Sequence, residues 1–322
     1  MMGYEAIGRG AAPGKVILFG EHAVVYGQPA VAAALGHGLG VTVLEDETGP
    51  TLSVPRWTHG GLTVRPADRT ESNAMARALA LALELAHYEQ NAKVRITVDG
   101  ELPLGVGLGS SAAFSVALLR GLTNFRGRDV TEQWLLAAAE QLEMIFHGAP
   151  SGLDHTVATT GQCLRFVRTD EPQFRPVALV SSLPLVLAWT PRDGTTADAV
   201  LGVRDRRRAS QREYDSIFEE IGALCDQGVE ALQAGDLVRV GGLFDENQVL
   251  LRRIGVSSQS NEEMLKVAHV HGVLGAKLTG AGHGGAVIAL CPERPRELVQ
   301  KLSAAGFSAL FTSVGGPRVG TP

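Results

Sequence analysis

Apolar residues recur along the chain with two different spacings, which predict a mixture of strands and helices. Short apolar or alternating runs predict strands at 15–19, 93–100, 162–167, 177–190, 286–290 and 308–313. A further pair of strands is predicted at 41–45 and 51–54. Runs with helical spacing predict helices at 72–87, 114–122, 129–147, 261–271 and 296–305, and long helical patterns continue to about Leu251. Ser72 is a candidate cap for the first helix.

The helix predicted at 129–147 carries polar residues opposite its apolar face. Asp129 and Glu132 have the spacing of a capping box at its start. The apolar positions 135, 138, 142 and 145 share one face, and the opposite face carries Glu140, Glu143 and His147. Such acidic residues commonly form a solvated face, which is also where a residue directed into a cleft would lie.

Length and composition indicate a globular protein with two domains. The chain has 322 residues, which exceeds the size at which one core usually stops growing. A charged, proline-containing linker precedes a strongly apolar strand region, and we place the domain boundary near residue 178, giving domains 1–178 and 179–322. The formal net charge of −5 predicts neither a nucleic-acid partner nor an anionic membrane surface.

Three cysteines are distant from one another in sequence and match no metal-ligand spacing, so they are predicted to be core residues of a protein in a reducing compartment. The first residues lack the apolar region of a secretory signal, and the long uncharged stretch 23–44 contains Gln28, Pro29, His37 and four glycines, which suits a membrane span poorly. These features predict a cytoplasmic location.

The segment PLGVGLGSSAAF, at 103–114, predicts a phosphate-binding turn. Its glycines let backbone N–H groups approach a ligand, and the two serines would begin a helix whose N-terminus attracts anions. Either hydroxyl can add a hydrogen bond or bind Mg²⁺. The segment GAAPGKV is not a Walker A loop, because its glycines are one residue too close and Val16 follows the lysine. Taken by itself, the segment PLGVGLGSSAAF, which we call the serine loop, is explained equally well as a flexible turn between a strand and a helix.

Three further segments, FGEHAVVYG, HGAPSGLD and KLTGAGHGG, together with the serine loop, resemble the motifs of the GHMP small-molecule kinases in the right order. DENQVLLRRIGVSS and TTADAV add to the similarity, which is closest to the mevalonate kinases. The resemblance implies an α+β fold of two domains, the first like domain 2 of ribosomal protein S5 and the second ferredoxin-like, with the active site between them. It also implies that ATP is bound by the residues Pro103, Gly105, Gly107, Leu108, Gly109, Ser110, Ser111 and Ala112.

The same resemblance assigns the catalytic residues. Asp154 in PSGLDH matches the aspartate that accepts the proton of the substrate hydroxyl, and Lys15 matches the lysine beside it. A cation there would keep the carboxylate ionised and favour deprotonation of the hydroxyl. Without the flanking match, Asp154 would be a turn or cap residue. Glu143, eleven residues earlier, matches the Mg²⁺-binding glutamate, and Ser111 matches its hydroxyl ligand.

Other residues are expected to contact the acceptor or the phosphates. Glu21 and His22 match residues that contact the polar end of the acceptor, although a local Glu–His pair is the simpler alternative, and Thr196 is a further candidate. A tight turn near the phosphate is expected from Gly280, Ala281, Gly282 and His283, with Gly284 following. The family usually has glycine in place of His283, so the backbone there requires a non-glycine residue to adopt a positive φ. The run RDRRR at 204–208 is more simply a solvated helix face.

The function implied by the resemblance is transfer of the ATP γ-phosphate to the C5 hydroxyl of mevalonate, with Mg²⁺ as cofactor. Phosphomevalonate kinase, mevalonate 3-kinase, galactokinase and homoserine kinase activities remain alternatives within the same fold, as does a sensor that binds ATP without catalysis. The presence together of Lys15, Glu143 and Asp154 favours an enzyme. The small-molecule partners would be mevalonate and ATP, and whether the chain forms a homodimer stays open.

Overall fold

The computed structural model describes residues 7–55, 61–66, 72–89, 91–103, 105–191 and 195–315. Within these ranges the strands are β1 (Ile7–Phe19), β2 (Pro29–Glu45), β3 (Thr51–Val54), β4 (Leu62–Val64), β5 (Val94–Gly100), β6 (Cys163–Val167), β7 (Gln173–Pro176), β8 (Leu183–Thr190), β9 (Gly275–Thr279), β10 (Gly285–Leu290) and β11 (Ser308–Val314). The helices are α1 (Ala74–Leu85), α2 (Ser110–Phe125), α3 (Glu132–His147), α4 (Leu153–Thr160), α5 (Thr196–Ala209), α6 (Gln211–Ala234), α7 (Leu237–Arg253), α8 (Gln259–Val270) and α9 (Pro295–Ala304). Leu104 of the serine loop lies outside the described residues, as do the first six residues and 67–71.

The first part of the chain is a sheet centred on β2, which is covered by helices. β1 runs antiparallel to β2 with a register shift between Pro13 and Lys15, and β5 and β6 also pair with β2. Helix α2 packs on β1 and β2, while α3 packs against α1, α2 and α4. The register shift and the start of α2 lie at the same end of this layer, because Lys15 N–H donates to the Leu108 carbonyl.

The second part has the strand order of a ferredoxin-like domain. β8 is followed by helices, then by the hairpin β9–β10, then by α9 and β11, and the strands are arranged β11-β8-β10-β9 with antiparallel neighbours. This is the β-α-β-β-α-β arrangement of ferredoxin-like folds, with helices α5–α8 in the first crossover. The strand order agrees with the ferredoxin-like second domain that the resemblance implies.

The two parts pack against each other over an extended interface, which includes contacts of α6 with β1 and β2. β11 meets β2 through the pair Val314 and Leu35. Thr279 Oγ1, at the end of β9, donates to the Ile17 carbonyl and accepts from the Ile17 N–H, at 3.0 and 3.1 Å. The boundary near residue 178 falls between β7 and β8 and stays a prediction. The three cysteines are buried and unbridged, and the helices that the structure describes include none that is long and apolar enough to cross a membrane.

The predicted elements needed several corrections. The strands at 41–45 and 51–54 both exist, but they do not pair, because β5 lies between them and is parallel to β3. Asn73 rather than Ser72 caps α1, through side-chain contacts with two backbone N–H groups. Thr131 rather than Asp129 caps α3, so the helix starts later than predicted. Strand β9, which overlaps the start of the segment KLTGAGHGG, was not predicted, because a short buried strand that contains a lysine has no amphipathic pattern.

Candidate active site

Lys15 and Asp154 form an ion pair at the N-terminus of a short helix. Asp154 lies in the first turn of α4, after Gly152, and its carboxylate is 3.1 Å from Lys15 Nζ. The lysine side chain is 7 % exposed and that of Asp154 is 34 % exposed, so the carboxylate faces an opening while the ammonium group is largely enclosed. Lys15 Nζ also contacts the Gly107 carbonyl at 3.5 Å. The ion pair therefore lies beside the serine loop.

The serine loop ends at the N-terminus of α2. Gly105, Gly107 and Gly109 all have positive φ, between 70° and 89°. A side chain at Gly109 would be both strained and crowded, because a Cβ there would lie 3.1 Å from the Lys15 Cβ. Ser110 and Ser111 occupy the first helical positions, and Leu108 and Ala112 are buried beneath them. The unpaired N–H groups of a helix start thus lie next to the ion pair, which is an arrangement suited to phosphate.

Glu143 lies on α3 with its carboxylate directed at two serine hydroxyls. Ser111 Oγ donates to Oε2 at 3.1 Å and Ser115 Oγ donates to Oε1 at 3.3 Å. The side chain is 1 % exposed, so of the two alternatives for this face of α3, the solvated face does not hold at Glu143. Burial raises the pKa of Glu143 to about 7, and the Asp154 carboxylate adds to the increase. A buried carboxylate bonded by hydroxyls, rather than by a cation, is suited to receive one.

The glycine loop of the segment KLTGAGHGG is held against the segment FGEHAVVYG, which we call the first motif. His283 has φ +53°, so it adopts the conformation that glycine usually supplies, and its N–H donates to the Val256 carbonyl at 2.9 Å. Gly282 cannot be replaced without movement, since a Cβ would lie 2.2 Å from the same carbonyl oxygen. His22 Nε2 contacts the Ala281 carbonyl at 2.9 Å. Burial lowers the pKa of His22 to about 4, so the ring is neutral and Nε2 carries the proton that it donates.

Glu21, the neighbour of His22, lies in a fully buried ion pair. Lys277 Nζ of β9 donates to Glu21 Oε1, and Asn247 Nδ2 donates to Oε2 at 3.2 Å. Both charged side chains are 0 % exposed. Burial raises the pKa of Glu21, although the Lys277 ammonium group favours its ionised form. Each carboxylate oxygen of Glu21 thus has a protein partner within the interior.

Thr196 begins helix α5 and is exposed, after Thr195, which caps the helix. Arg206, near the end of this helix, donates to the Ile254 carbonyl and so connects α5 to the end of α7. The RDRRR run is only partly a solvated face, because Arg206 makes these bonds and Arg207 stacks over Tyr26 and pairs with Asp215.

Several residues near these groups were not predicted as site residues. Ser115 lies one turn after Ser111 on α2, and His147 lies one turn after Glu143 on α3, with Nε2 3.0 Å from Ser111 Oγ. Helical spacing from a predicted residue could have found both. Lys277 and Asn247 could not be found in this way, because they lie more than 200 positions from Glu21 in sequence.

A large cavity lies between α1 and α3, against the face of α3 that carries Gln141, Met144 and Ile145. It has a volume of about 1130 Å³ and is lined by residues that include Arg77, Ala80, Met144 and Ile145. Its lining mixes apolar side chains with a few polar ones, as is usual for small-molecule sites.

Comparisons with known proteins agree with this arrangement. Residues 73–162 match the family model described as GHMP kinases N terminal domain, and 229–308 match GHMP kinases C terminal. The chain is 33 % identical to a mevalonate kinase of Pyrococcus horikoshii, over 94 % of each chain. It is 34 % identical to one of Methanothermobacter thermautotrophicus, covering 91 % of this chain and 93 % of that one.

Solved structures of mevalonate kinases are similar to this chain in fold. The crystal structure of L. major mevalonate kinase in complex with R-mevalonate superimposes with a TM-score of 0.81 at 29 % identity, covering 97 % of this chain and 96 % of that one. The Methanococcus jannaschii mevalonate kinase matches in fold with a TM-score of 0.82 at 24 % identity, over 98 % and 99 % of the two chains. The chain belongs to the mevalonate kinase family within the GHMP kinases.

Proposed function

We propose that the protein transfers the γ-phosphate of ATP to the C5 hydroxyl of mevalonate, giving 5-phosphomevalonate. The observation that carries the proposal is the ion pair of Lys15 and Asp154 beside the start of α2. A proton acceptor and a phosphate-binding helix start are thereby brought together, which phosphorylation of an alcohol requires.

Asp154 accepts the proton of the attacking hydroxyl. Its carboxylate is partly exposed, and therefore reachable by a substrate, while Lys15 stabilises its ionised form from the enclosed side. The same ammonium group stabilises the negative charge that develops on the acceptor oxygen. Proton transfer and charge stabilisation are thus supplied by two side chains that contact each other.

ATP is held by the serine loop and by the cavity between α1 and α3. The backbone N–H groups from Gly107 to Ala112 and the dipole of α2 bind the phosphates. The base occupies the cavity beside Met144 and Ile145, which belong to the last turn of α3, where His147 contacts Ser111 of the serine loop. The nucleotide would extend from α3 to the start of α2, with its last phosphate nearest to Asp154.

Mg²⁺ would be held by Glu143 and Ser111. The fit rests on the donor set, because a buried carboxylate and a hydroxyl are oxygen ligands, and Mg²⁺ takes few protein ligands besides phosphate oxygens and waters. In the described part of the chain, no three His, Cys, Asp or Glu side chains form a cluster that could hold a metal by themselves. When bound, the ion would neutralise charge on the phosphates.

The acceptor lies against the first motif. His22 is neutral and donates through Nε2, so its Nδ1 is a hydrogen-bond acceptor that suits a substrate hydroxyl. Thr196 offers a hydroxyl at the exposed start of α5. We assign Glu21 a supporting role instead of the predicted substrate contact, since both of its oxygens are already bonded inside the protein.

The first test is a substrate panel. We expect purified protein with ATP and Mg²⁺ to release ADP with mevalonate, but not with phosphomevalonate, galactose or homoserine, and NMR to locate the new phosphate on the C5 oxygen. Phosphate on the C3 oxygen would indicate the 3-kinase activity instead. Absence of turnover with every compound, despite ATP binding, would favour the sensor.

Asp154→Asn tests the proton acceptor. We expect turnover to fall by at least about 100-fold, the range for loss of a general base, with the fold and ATP affinity retained. Asp226→Asn is the matched control, because Asp226 of α6 is an exposed aspartate that also pairs with a basic residue, Arg165. Turnover near the wild-type value in Asp154→Asn would remove Asp154 from the mechanism.

A further inference from the structure

His147 contacts the two side chains that are proposed to bind Mg²⁺. Its Nε2 lies 3.0 Å from Ser111 Oγ and 3.7 Å from Glu143 Oε2. The ring is 53 % exposed at the end of α3, whereas the Glu143 side chain beneath it is buried. The imidazole is therefore in contact with solvent on one side and with the Ser111 hydroxyl on another.

The hydrogen bonds around Ser111 can be assigned from the number of protons. A serine hydroxyl has one proton and two lone pairs, and an ionised carboxylate can only accept. When Glu143 is ionised, as a metal ligand must be, the Ser111 proton points to Glu143 Oε2. Ser111 Oγ then accepts at its contact with His147, so Nε2 of the imidazole carries a proton and donates it.

These two bonds leave one lone pair on Ser111 Oγ. Without His147, the hydroxyl could turn about its Cβ–Oγ bond or the side chain could change its χ1 rotamer, and no lone pair would be held toward a cation. With His147, one lone pair is occupied and the direction of the other is fixed. A ligand that is oriented before the ion arrives loses less conformational freedom on binding.

We propose that His147 is a positioning residue, whose Nε2–H orients the Ser111 hydroxyl for the magnesium ion that accompanies ATP. The inference rests on the function proposed above, and it extends that function by adding a third side chain to the site. His147 acts through Ser111 and touches neither the acceptor nor Asp154.

A structural role is the competing explanation for His147. An imidazole in the last turn of a helix interacts favourably with the helix dipole, and Glu143 and His147 have the i, i+4 spacing of a stabilising pair. His269 occupies the same kind of position, in the last turn of α8 and 3.3 Å from Asp245, away from the serine loop. His269→Leu therefore reproduces the loss of a helix-end imidazole without the contact to Ser111.

The test compares three substitutions of His147. In His147→Gln the amide nitrogen can reach the place of Nε2, whereas the side chain of His147→Asn is too short, and His147→Leu has no donor. ATP binding is measured by calorimetry with no acceptor present, once with EDTA and once across a series of Mg²⁺ concentrations. Thermal unfolding of each variant reports the structural role separately.

We expect His147→Leu and His147→Asn to need about tenfold more Mg²⁺ for half-maximal ATP binding, the size of effect expected for one lost hydrogen bond. His147→Gln should stay within about threefold of the wild type, and ATP binding in EDTA should be the same in all variants. His269→Leu should leave the Mg²⁺ dependence unchanged.

Two results would overturn the inference alone: wild-type Mg²⁺ dependence in His147→Leu, or equal impairment in His147→Gln and His147→Asn. If the wild-type protein itself bound ATP without any dependence on Mg²⁺, the proposed magnesium site would fail and this inference would fail with it. Turnover of mevalonate by the wild type, measured beside these titrations, shows which of the two proposals has failed.

Discussion

Among the residues that the structure describes, two glutamates are buried, and they differ in the side chains that surround their carboxylates. Glu21 is paired with Lys277 and bonded by Asn247, and no part of the pair reaches solvent. Glu143 is almost as inaccessible, but its oxygens accept hydrogen bonds from the hydroxyls of Ser111 and Ser115, and His147 Nε2 lies 3.7 Å from its Oε2. The first carboxylate has its cation built into the fold, while the second is placed to receive one. Burial alone therefore does not separate a structural carboxylate from a functional one, and the identity of its partners does.

The largest expected effect comes from breaking the ion pair of Glu21 and Lys277, which we call the sealed pair because both side chains are fully buried. We expect Lys277→Met to lower the free energy of unfolding by about 3–5 kcal/mol, because it leaves the Glu21 carboxylate buried without a cation. The measurement is urea denaturation at pH 7. Combining it with Glu21→Gln should recover part of the loss, since no charge then remains uncompensated.

Lys93→Met is the control for this prediction. Lys93 also pairs with a glutamate, Glu47, but both side chains are exposed, and such pairs contribute little to stability. Similar losses in Lys93→Met and Lys277→Met, or no recovery in the double variant, would show that the buried pair is not the source of the effect.

The two glutamates also show which parts of the site can be predicted from the sequence. Lys15, Asp154, Ser111 and the glycines of the serine loop were predicted from motifs that resemble those of known kinases, and the structure brings them together. The burial of Glu143 was not predicted, because a helical projection assigns one buried face, whereas α3 is packed against α1, α2 and α4 on more than one side.

Lys277 shows why the remainder was missed. A lysine in a short strand is ordinarily exposed, and only the fold brings β9 beside the first motif, 256 positions away in sequence. The ferredoxin-like strand order of the second domain likewise depends on β9, which has no pattern of its own. Motifs identified the open site, while the sealed pair depends on long-range packing that a single sequence does not encode locally.

A smaller effect is expected from pH, through His22 beside the sealed pair. The pKa of His22 is lowered to about 4 in the folded protein from 6.5, so the unfolded chain binds its proton first as the pH falls. Stability is therefore lost between about pH 6.5 and pH 4, and about 2 kcal/mol of this loss should be reached at pH 5. His22→Gln keeps a donor for the Ala281 carbonyl but cannot titrate, so its stability should fall less between pH 7 and pH 5.

The comparison uses the change with pH within each variant, so that any constant cost of the substitution cancels. His269 provides a control of opposite sign, because its bond to Asp245 raises its pKa. A group of this kind contributes stability that is present at low pH and lost as the pH rises, so His269→Gln should steepen the loss in acid. An identical pH response in wild type and His22→Gln would contradict the assignment of His22.

The smallest effect is the sharpest test, because the same substitution should act in opposite directions at the two glutamates. Glu21→Gln should destabilise the protein, since Lys277 loses its counter-ion. Glu143→Gln should instead raise the free energy of unfolding at pH 8 in EDTA. Burial raises the pKa of Glu143 from 4.5 to about 7, which costs the folded protein about 3 kcal/mol at this pH, and the weaker bonds of an amide to the hydroxyls of Ser111 and Ser115 offset about 2 kcal/mol, so the net gain is about 1 kcal/mol. The same variant should need at least about tenfold more Mg²⁺ for half-maximal turnover, because an amide is a weaker ligand than a carboxylate. Denaturation in EDTA and a Mg²⁺ titration of activity measure the two effects.

If Glu143→Gln destabilised the metal-free protein as Glu21→Gln does, the Glu143 carboxylate would be a structural group. An unchanged Mg²⁺ requirement for turnover would exclude Glu143 as a ligand of the ion.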